Sequence, residues 1–239
     1  MSGAPAGPRV VSLVPSVTET LLDWGIVPVA CTRFCEQPAI RAVGGTKNPE
    51  IDDIVALAPD LVVVNDEENR REDAVALAAA GLAVHACSPR SVHEVAPALE
   101  ALAGVLGLDV EPDPADDPLP ALGLRAFVPI WRRPWMTIAA DTYGSSLLAS
   151  IGVANAFGGS PGDAERYPTV ELADIVARGA DVVLVPTEPY AFKPIHLAAF
   201  RPVAPVVEVD GQDLFWWGVR TPAARRRLHT AIAAGLARP

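Results

Sequence analysis

The 239-residue chain has few cysteines and none of the short motifs that mark common enzymes, and each lack excludes something. No stretch approaches about 18 unbroken apolar residues, so a membrane-spanning helix is excluded. The N-terminal MSGAPAGPRV has no basic segment followed by an apolar one. That reads as no secretory signal and predicts a cytoplasmic protein, or an extracytoplasmic one whose leader has been removed. Three cysteines, Cys31, Cys35 and Cys87, cannot all pair within one chain. With no leader in view they are expected as reduced thiols, not a disulfide framework. There is no G-x-S-x-G elbow, HExxH, Walker loop or GxGxxG, and Gly44 to Thr46 is too short for a phosphate loop. No catalytic residue is assigned and the chain is expected not to be an enzyme; paired acids such as Asp141 and Glu188 could act as acid and base, an arrangement that sequence does not display. A net charge of −10 repels phosphates over most of the surface, which argues against nucleic acid as a partner.

What the chain does have is an internal repeat. Asp53 to Glu67, DIVALAPDLVVVNDE, returns 121 positions later as Asp174 to Glu188, DIVARGADVVLVPTE. In each copy a short amphipathic helix ends near Pro or Gly, and an Asp leads into a run so apolar that it reads as a strand buried on both faces. Helix, tight turn and parallel strand used twice predict an α/β chain of two similar lobes.

Taken in order, residues 1–8 are Pro/Gly-rich and expected to fray. An N-terminal α/β lobe is expected over 9–90. It opens with a strand, Val10 to Val14, and a helix that Ser16 caps with Glu19 in a capping box, leaving backbone N–H groups for an anionic or carbonyl group of a ligand. A connecting helix is expected over 91–108, with Val92, Val95, Leu99, Leu102 and Leu106 on one stripe, a second capping box at Ser91 and Glu94, and Pro97 inside it. Residues 109–122, rich in proline and acids, read as an exposed linker. The C-terminal lobe, 123–239, is expected to hold strands over Arg125 to Ile130 and Val206 to Val209, a helix from about Ser145 to Ile151, and a terminal helix from about Thr221 to Leu236.

The strings RVVSLVPSVTETLLDWG, VGGTKNPEIDDIVALAPDLVVVN, WMTIAADTYGSSLLASIGVANAF and DGQDLFWWG resemble the helical-backbone (class III) substrate-binding proteins of ABC importers, most closely their cobalamin-binding branch. This resemblance implies mainly parallel sheets in two lobes, one long helix joining them and a ligand cleft between. It further implies a corrinoid or similar tetrapyrrole metal complex as ligand, with an iron–siderophore complex as the alternative. A cytoplasmic sensor or enzyme reusing the fold is the second alternative. No covalently bound cofactor is expected, and the partners implied are the small-molecule metal complex and an ABC transporter permease, with the protein itself a monomer.

Four of five tryptophans and all three tyrosines fall in the second half, mostly in loops after predicted strands. Converging on one place they would form a flat, apolar, polar-edged wall. The resemblance puts Trp131, Tyr143, Tyr190 and Trp216 in that wall, facing Pro15, Ser16, Phe34, Cys35 and Gly45 from the first lobe. It makes Glu67, Glu68 and Glu188 the candidates for docking onto arginines of the permease. Basic residues such as Arg33, Lys47, Arg132, Arg133 and Arg220 would serve a siderophore. No metal site is expected: Cys31 and Cys35 have no histidine nearby, His85 and Cys87 are only two ligands, and His196, near Tyr190, is an axial ligand only if it leaves the surface.

Overall fold

A computed structural model describes residues 7–159 and 165–237. It divides into two compact units, one of Met1–Pro89 with Val95–Asp113, the other of Arg90–Glu94 with Pro114–Pro239. Of the segment expected to fray, residues 1–6 lie outside the described residues, as do residues 160–164 of the Gly/Pro-rich loop.

The first unit is built on a four-stranded parallel sheet in the order Ala30–Cys31, Val10–Ser12, Leu61–Val64, Val84–Ala86. Val11 sits opposite Ala30 on one side and Val62 on the other. Leu61–Val64 is buried along its whole length, as a strand covered on both faces must be. Val11, Leu13, Ala30, Val43, Ile54, Val62, Val64 and Leu77 close the core around it.

The first helix, Pro15–Asp23, begins two residues earlier than a cap at Ser16 requires. Proline has no N–H to leave unsatisfied and a φ already suited to a helix, so it takes the first helical position. Ser16 therefore lies inside the first turn and caps nothing; the cap position is Val14, without a side-chain bond. The connecting helix begins at Val92, as a cap at Ser91 requires, while the Glu94 carboxylate accepts the backbone N–H of Arg90 at 2.7 Å and not that of Ser91. The helix itself runs Val92–Leu106 through Pro97. Its first turn is tied into the second unit, where the Val92 N–H donates to Ser146 Oγ at 3.0 Å and the Arg90 guanidinium meets Asp141 at 3.0 Å. From Val95 onward it belongs to the first unit, with Val95, Leu99 and Leu102 buried.

The second unit repeats the plan. Its parallel sheet runs Val153–Asn155, Leu124–Phe127, Val182–Pro186, Val206–Val209, so that in both sheets the strand order along the chain is second, first, third, fourth. The repeated sequence supplies the third strand each time, preceded by helices Ile51–Ala56 and Leu172–Ala177. The strand expected through Ile130 stops at Phe127, and Pro129–Trp131 instead pairs antiparallel with Trp135–Thr137 and, through it, Thr169–Val170. Pro129 cannot donate to a ladder, which favours the break at this point. Tyr143–Ala149 is helical from Tyr143, capped by the Thr142 hydroxyl, which accepts the Ser145 N–H at 3.3 Å.

Residues 109–122 carry no regular structure, but they are not loose. Ala115 is buried and its carbonyl accepts a bond from the Arg225 guanidinium, which also meets Asp117 at 3.1 Å. Arg226 meets the other Asp117 oxygen at 3.1 Å. The proline-rich stretch is thus clasped by the terminal helix Thr221–Leu236, a long-range pairing that composition does not reveal.

Candidate functional site

Loops leaving the carboxyl ends of parallel strands gather on one edge of the sheet, the edge where open α/β sheets bind ligands. In the first unit two buried asparagines organise that edge. Asn69 Nδ2 donates to the carbonyls of Leu13 and Thr46, and its Oδ1 accepts the Asn65 N–H at 2.8 Å. Asn65 in turn donates to the Cys87 carbonyl and accepts the N–H groups of Glu67 and Glu68. Four chain segments are pinned by two amides.

On this frame Pro15, Ser16, Cys35 and Gly45 are buried, while Phe34 is half exposed with the Arg33 guanidinium 4.9 Å over its ring. Gly45 is covered from one side, since a Cβ there would come within 2.7 Å of Asn48 Oδ1 and 3.1 Å of the Arg33 guanidinium. Lys47 donates to the Glu67 carbonyl. Burial pushes the Glu68 carboxyl upward, opposed by the Lys47 charge and a bond from Thr46.

The two thiols of this edge differ sharply. Cys35 Sγ accepts the Thr18 hydroxyl at 3.2 Å and lies 3.3 Å from the Thr32 hydroxyl. Its pKa falls to about 6, chiefly through a bond from the Cys31 thiol, with Thr18 and Thr32 adding to it against the effect of burial. Cys31 moves the opposite way, held protonated by that same bond and by burial. Cys87 is pushed up to about 12 by burial alone.

In the second unit the structure brings Trp131 and Tyr190 together, ring centroids 5.1 Å apart and nearly perpendicular. Trp131 is 45% exposed, an unusual position for the largest apolar side chain. The contact continues from Tyr190 to Phe192 at 4.8 Å, from Phe192 to Trp135 at 6.2 Å in a stacked pair, and from Trp135 to Phe200 in the core at 4.8 Å. Trp216 stands by a different contact, its indole N–H donating to Glu188 at 2.7 Å with the Arg220 guanidinium 5.1 Å over its ring. Tyr143 is set apart from these: it is buried at 5% exposure, its hydroxyl 2.9 Å from that of Thr221. Phe192 and Trp135 extend the aromatic group beyond the residues expected there, and Arg220, expected only as a basic residue, joins it through Trp216.

His196 packs 6.0 Å from Tyr190, and its Nδ1 accepts the Lys193 N–H at 3.1 Å. Partial burial and the cations Arg132, Lys193 and Arg133 push its pKa down. With Nδ1 accepting that bond, Nε2 is the ring nitrogen left to face a ligand. Among the described residues no group of three or more His, Cys, Asp or Glu side chains could hold a metal ion. A recess of about 460 Å³ lies at the amino-terminal end of this sheet, lined by Leu124, Arg125, Val153, Ala154 and Asp181. It is far from the carboxyl edge and shares no residue with the aromatic group.

Solved two-lobed α/β proteins share this fold over nearly the whole chain. The periplasmic vitamin B12-binding protein BtuF of Vibrio cholerae superposes with a TM-score of 0.76 at 19% identity, covering 97% of this chain and 98% of that one. The periplasmic haem-binding protein BhuT, solved with two haems, gives 0.76 at 20% identity, covering 97% and 100%. In sequence, the vitamin B12-binding protein of Salmonella choleraesuis (strain SC-B67) is 25% identical over 199 residues, 75% of this chain and 73% of that protein. No family model matches the chain. The resemblance read from the sequence holds in both comparisons. The expectation of a cytoplasmic protein does not: the solved proteins that share the fold are periplasmic, and the composition of ten N-terminal residues cannot outweigh a likeness over nearly the whole chain.

Proposed function

We propose that this protein binds a corrinoid, or a similar tetrapyrrole metal complex, outside the cytoplasm and delivers it to an ABC transporter permease, without catalysing a reaction. The observation that carries this reading is the similarity to vitamin B12-binding proteins over three quarters of both chains. The aromatic group supports it physically. A rigid planar macrocycle loses little entropy on binding and is held best by flat apolar faces with a few polar groups at their edges. Trp131 and Tyr190 offer the faces, while the Trp216–Glu188 pair, Arg220 and His196 Nε2 offer the edges. From the first unit Phe34 offers apolar surface, and Pro15, Ser16, Cys35 and Gly45 are assigned to the same site. The protein acts as a monomer, with Glu67, Glu68 and Glu188 meeting cationic groups of the permease.

A visible-absorption titration with cyanocobalamin, aquocobalamin and haem tests the reading. Saturable spectral change and a raised melting temperature with the cobalamins are expected. No change in either at millimolar cobalamin overturns the corrinoid assignment. A response only to haem, or only to a ferric siderophore in competition, moves the ligand to that class.

A further inference from the structure

The two copies of the repeat use one arginine differently. Arg9 and Arg125 hold the same place in their sheets, each bonded through its backbone to the aspartate that leads into the third strand. In the first unit the Arg9 guanidinium is engaged locally, donating to the Leu57 carbonyl at 2.7 Å. Leu57 is the residue that ends helix Ile51–Ala56. Its counterpart 121 positions on is Arg178, which ends helix Leu172–Ala177. Arg178 sends its own guanidinium to the Ala156 carbonyl at 3.3 Å and over the Phe157 ring at 4.5 Å. Among the described residues the Arg125 guanidinium has no hydrogen bond and no ion pair.

Arg125 instead lines the recess of about 460 Å³ at the amino-terminal end of the second sheet. The register sets it between Ala154 on one neighbouring strand and Asp181 at the start of the other, and all three are exposed. Asp181 Oδ2 accepts the Arg125 N–H at 2.7 Å, while Oδ1 has no partner among the described residues. Two opposite charges thus stand on one recess without pairing to each other. Between them the lining is apolar, with Leu124, Val153, Ala149 and Ala154. Gly152 closes one side, where a Cβ would come to 2.5 Å from Ala121 Cα.

We propose that this recess is a second binding site, for an α-amino acid with an apolar side chain. The carboxylate meets the Arg125 guanidinium, whose planar fork matches it, and the ammonium meets Asp181 Oδ1. A simple anion would face the Asp181 charge and a simple cation that of Arg125, whereas a zwitterion satisfies both. Its side chain covers Leu124 and Val153, and the volume falls within the range of small-molecule sites. The site shares no residue with the aromatic group and does not depend on the corrinoid reading.

Isothermal titration of the full chain with L-leucine and L-phenylalanine tests this, each beside its N-acetyl and its amide derivative. No corrinoid is needed, so failure here is distinct from failure of the proposed function. Expected is saturable millimolar binding of the free amino acids, weakened about tenfold by either cap, because each cap removes one charge-assisted bond. Arg125→Gln should weaken binding about tenfold as well. Ala154→Leu, which fills the recess, should abolish it, and Trp131→Ala should leave it unchanged. No saturable binding of either amino acid at tens of millimolar overturns the proposal. So do capped forms that bind as well as the free ones, or an affinity indifferent to Arg125→Gln and Ala154→Leu. Both positions are exposed, and should one variant fold poorly, the other decides.

Discussion

Asp60 and Asp181, 121 positions apart, make the same pair of bonds in the two units. The Asp60 carboxylate accepts the backbone N–H of Arg9 at 2.8 Å while its own N–H donates to the Arg9 carbonyl at 2.8 Å. Asp181 does both to Arg125, at 2.7 and 2.8 Å. In each unit the repeat's aspartate thereby registers the third strand against the entry to the first. Asp60→Ala and Asp181→Ala should each cost about 1 kcal/mol, the value of a partly exposed bond to a charged acceptor. Asn at either position keeps an acceptor and should cost less. Urea denaturation followed by circular dichroism checks both, and equal losses for Ala and Asn would show that the bond is not what matters.

The two copies differ in one strained residue. The chain turns from helix to strand through a left-handed residue, which is Gly179 at φ 61° in the second unit but Ala58 at φ 44° in the first. A Cβ in that region costs roughly 1 kcal/mol or more, partly offset by the extra freedom glycine gives the unfolded chain. Ala58→Gly is therefore expected to stabilise by about 0.5 kcal/mol and Gly179→Ala to destabilise by about 1 kcal/mol, read as opposite shifts in melting temperature. A destabilised Ala58→Gly would mean that the methyl group packs favourably enough to repay its strain.

The repeat was legible because continuous apolar runs and turn residues are local signals, and the strand Val206–Val209 and helix Thr221–Leu236 were read for the same reason. Ser16 was misread because proline and serine compete for the start of a helix and the sequence does not say which position each takes. The strand ends at Phe127 although the apolar run continues, because Pro129 has no donor for the parallel ladder. Least legible were the long-range partners. Nothing near Asn69 announces that its amide will reach Leu13, and nothing near Asp117 announces Arg225 and Arg226, more than a hundred residues on. Of the wall residues, Trp131 and Tyr190 meet although they are far apart in sequence, whereas Tyr143 is held by Thr221.

That separation makes the wall testable. Trp131 is substantially exposed, so Trp131→Ala should leave the melting temperature nearly unchanged and weaken cobalamin binding about tenfold or more, the usual worth of a buried aromatic anchor. Tyr190→Ala should do the same with some loss of stability, because it also contacts Phe192. Tyr143→Phe removes a buried hydrogen bond and should cost about 1 kcal/mol of stability. Calorimetric titration beside thermal melts separates the outcomes, and unchanged affinity in Trp131→Ala would remove it from the site.

The buried thiols give stability a pH dependence of defined sign under reducing conditions. Between the folded Cys35 value of about 6 and the ordinary unfolded value, near 8.5, the unfolded chain binds the extra proton. Stability from this group is full above the unfolded value and is lost as pH falls through 6. Cys87, pushed up to about 12, acts in the reverse sense and loses its contribution as pH rises from near 8.5 to 12. Melting temperature should therefore rise from pH 6 to 8.5 more steeply in the native chain than in Cys35→Ser. Parallel curves would mean that Cys35 stays protonated.

The three glutamates proposed to meet the permease are not equivalent, and their surroundings predict how charge reversal will differ among them. Glu188 holds the Trp216 indole, so Glu188→Lys should lower ligand affinity as well as docking. Glu68 is largely desolvated beside Lys47, so Glu68→Lys sets two cations together and should cost stability first. Glu67 donates its backbone N–H to Asn65 and its carbonyl accepts a bond from Lys47, contacts that a change of side chain leaves in place. Glu67→Lys is expected to leave cobalamin affinity unchanged and to weaken binding to permease-containing vesicles about tenfold, and more so at low salt, as expected for a rim charge pair. Loss of affinity in Glu67→Lys, or docking indifferent to both the substitution and the salt, would show that this carboxylate is not part of the contact.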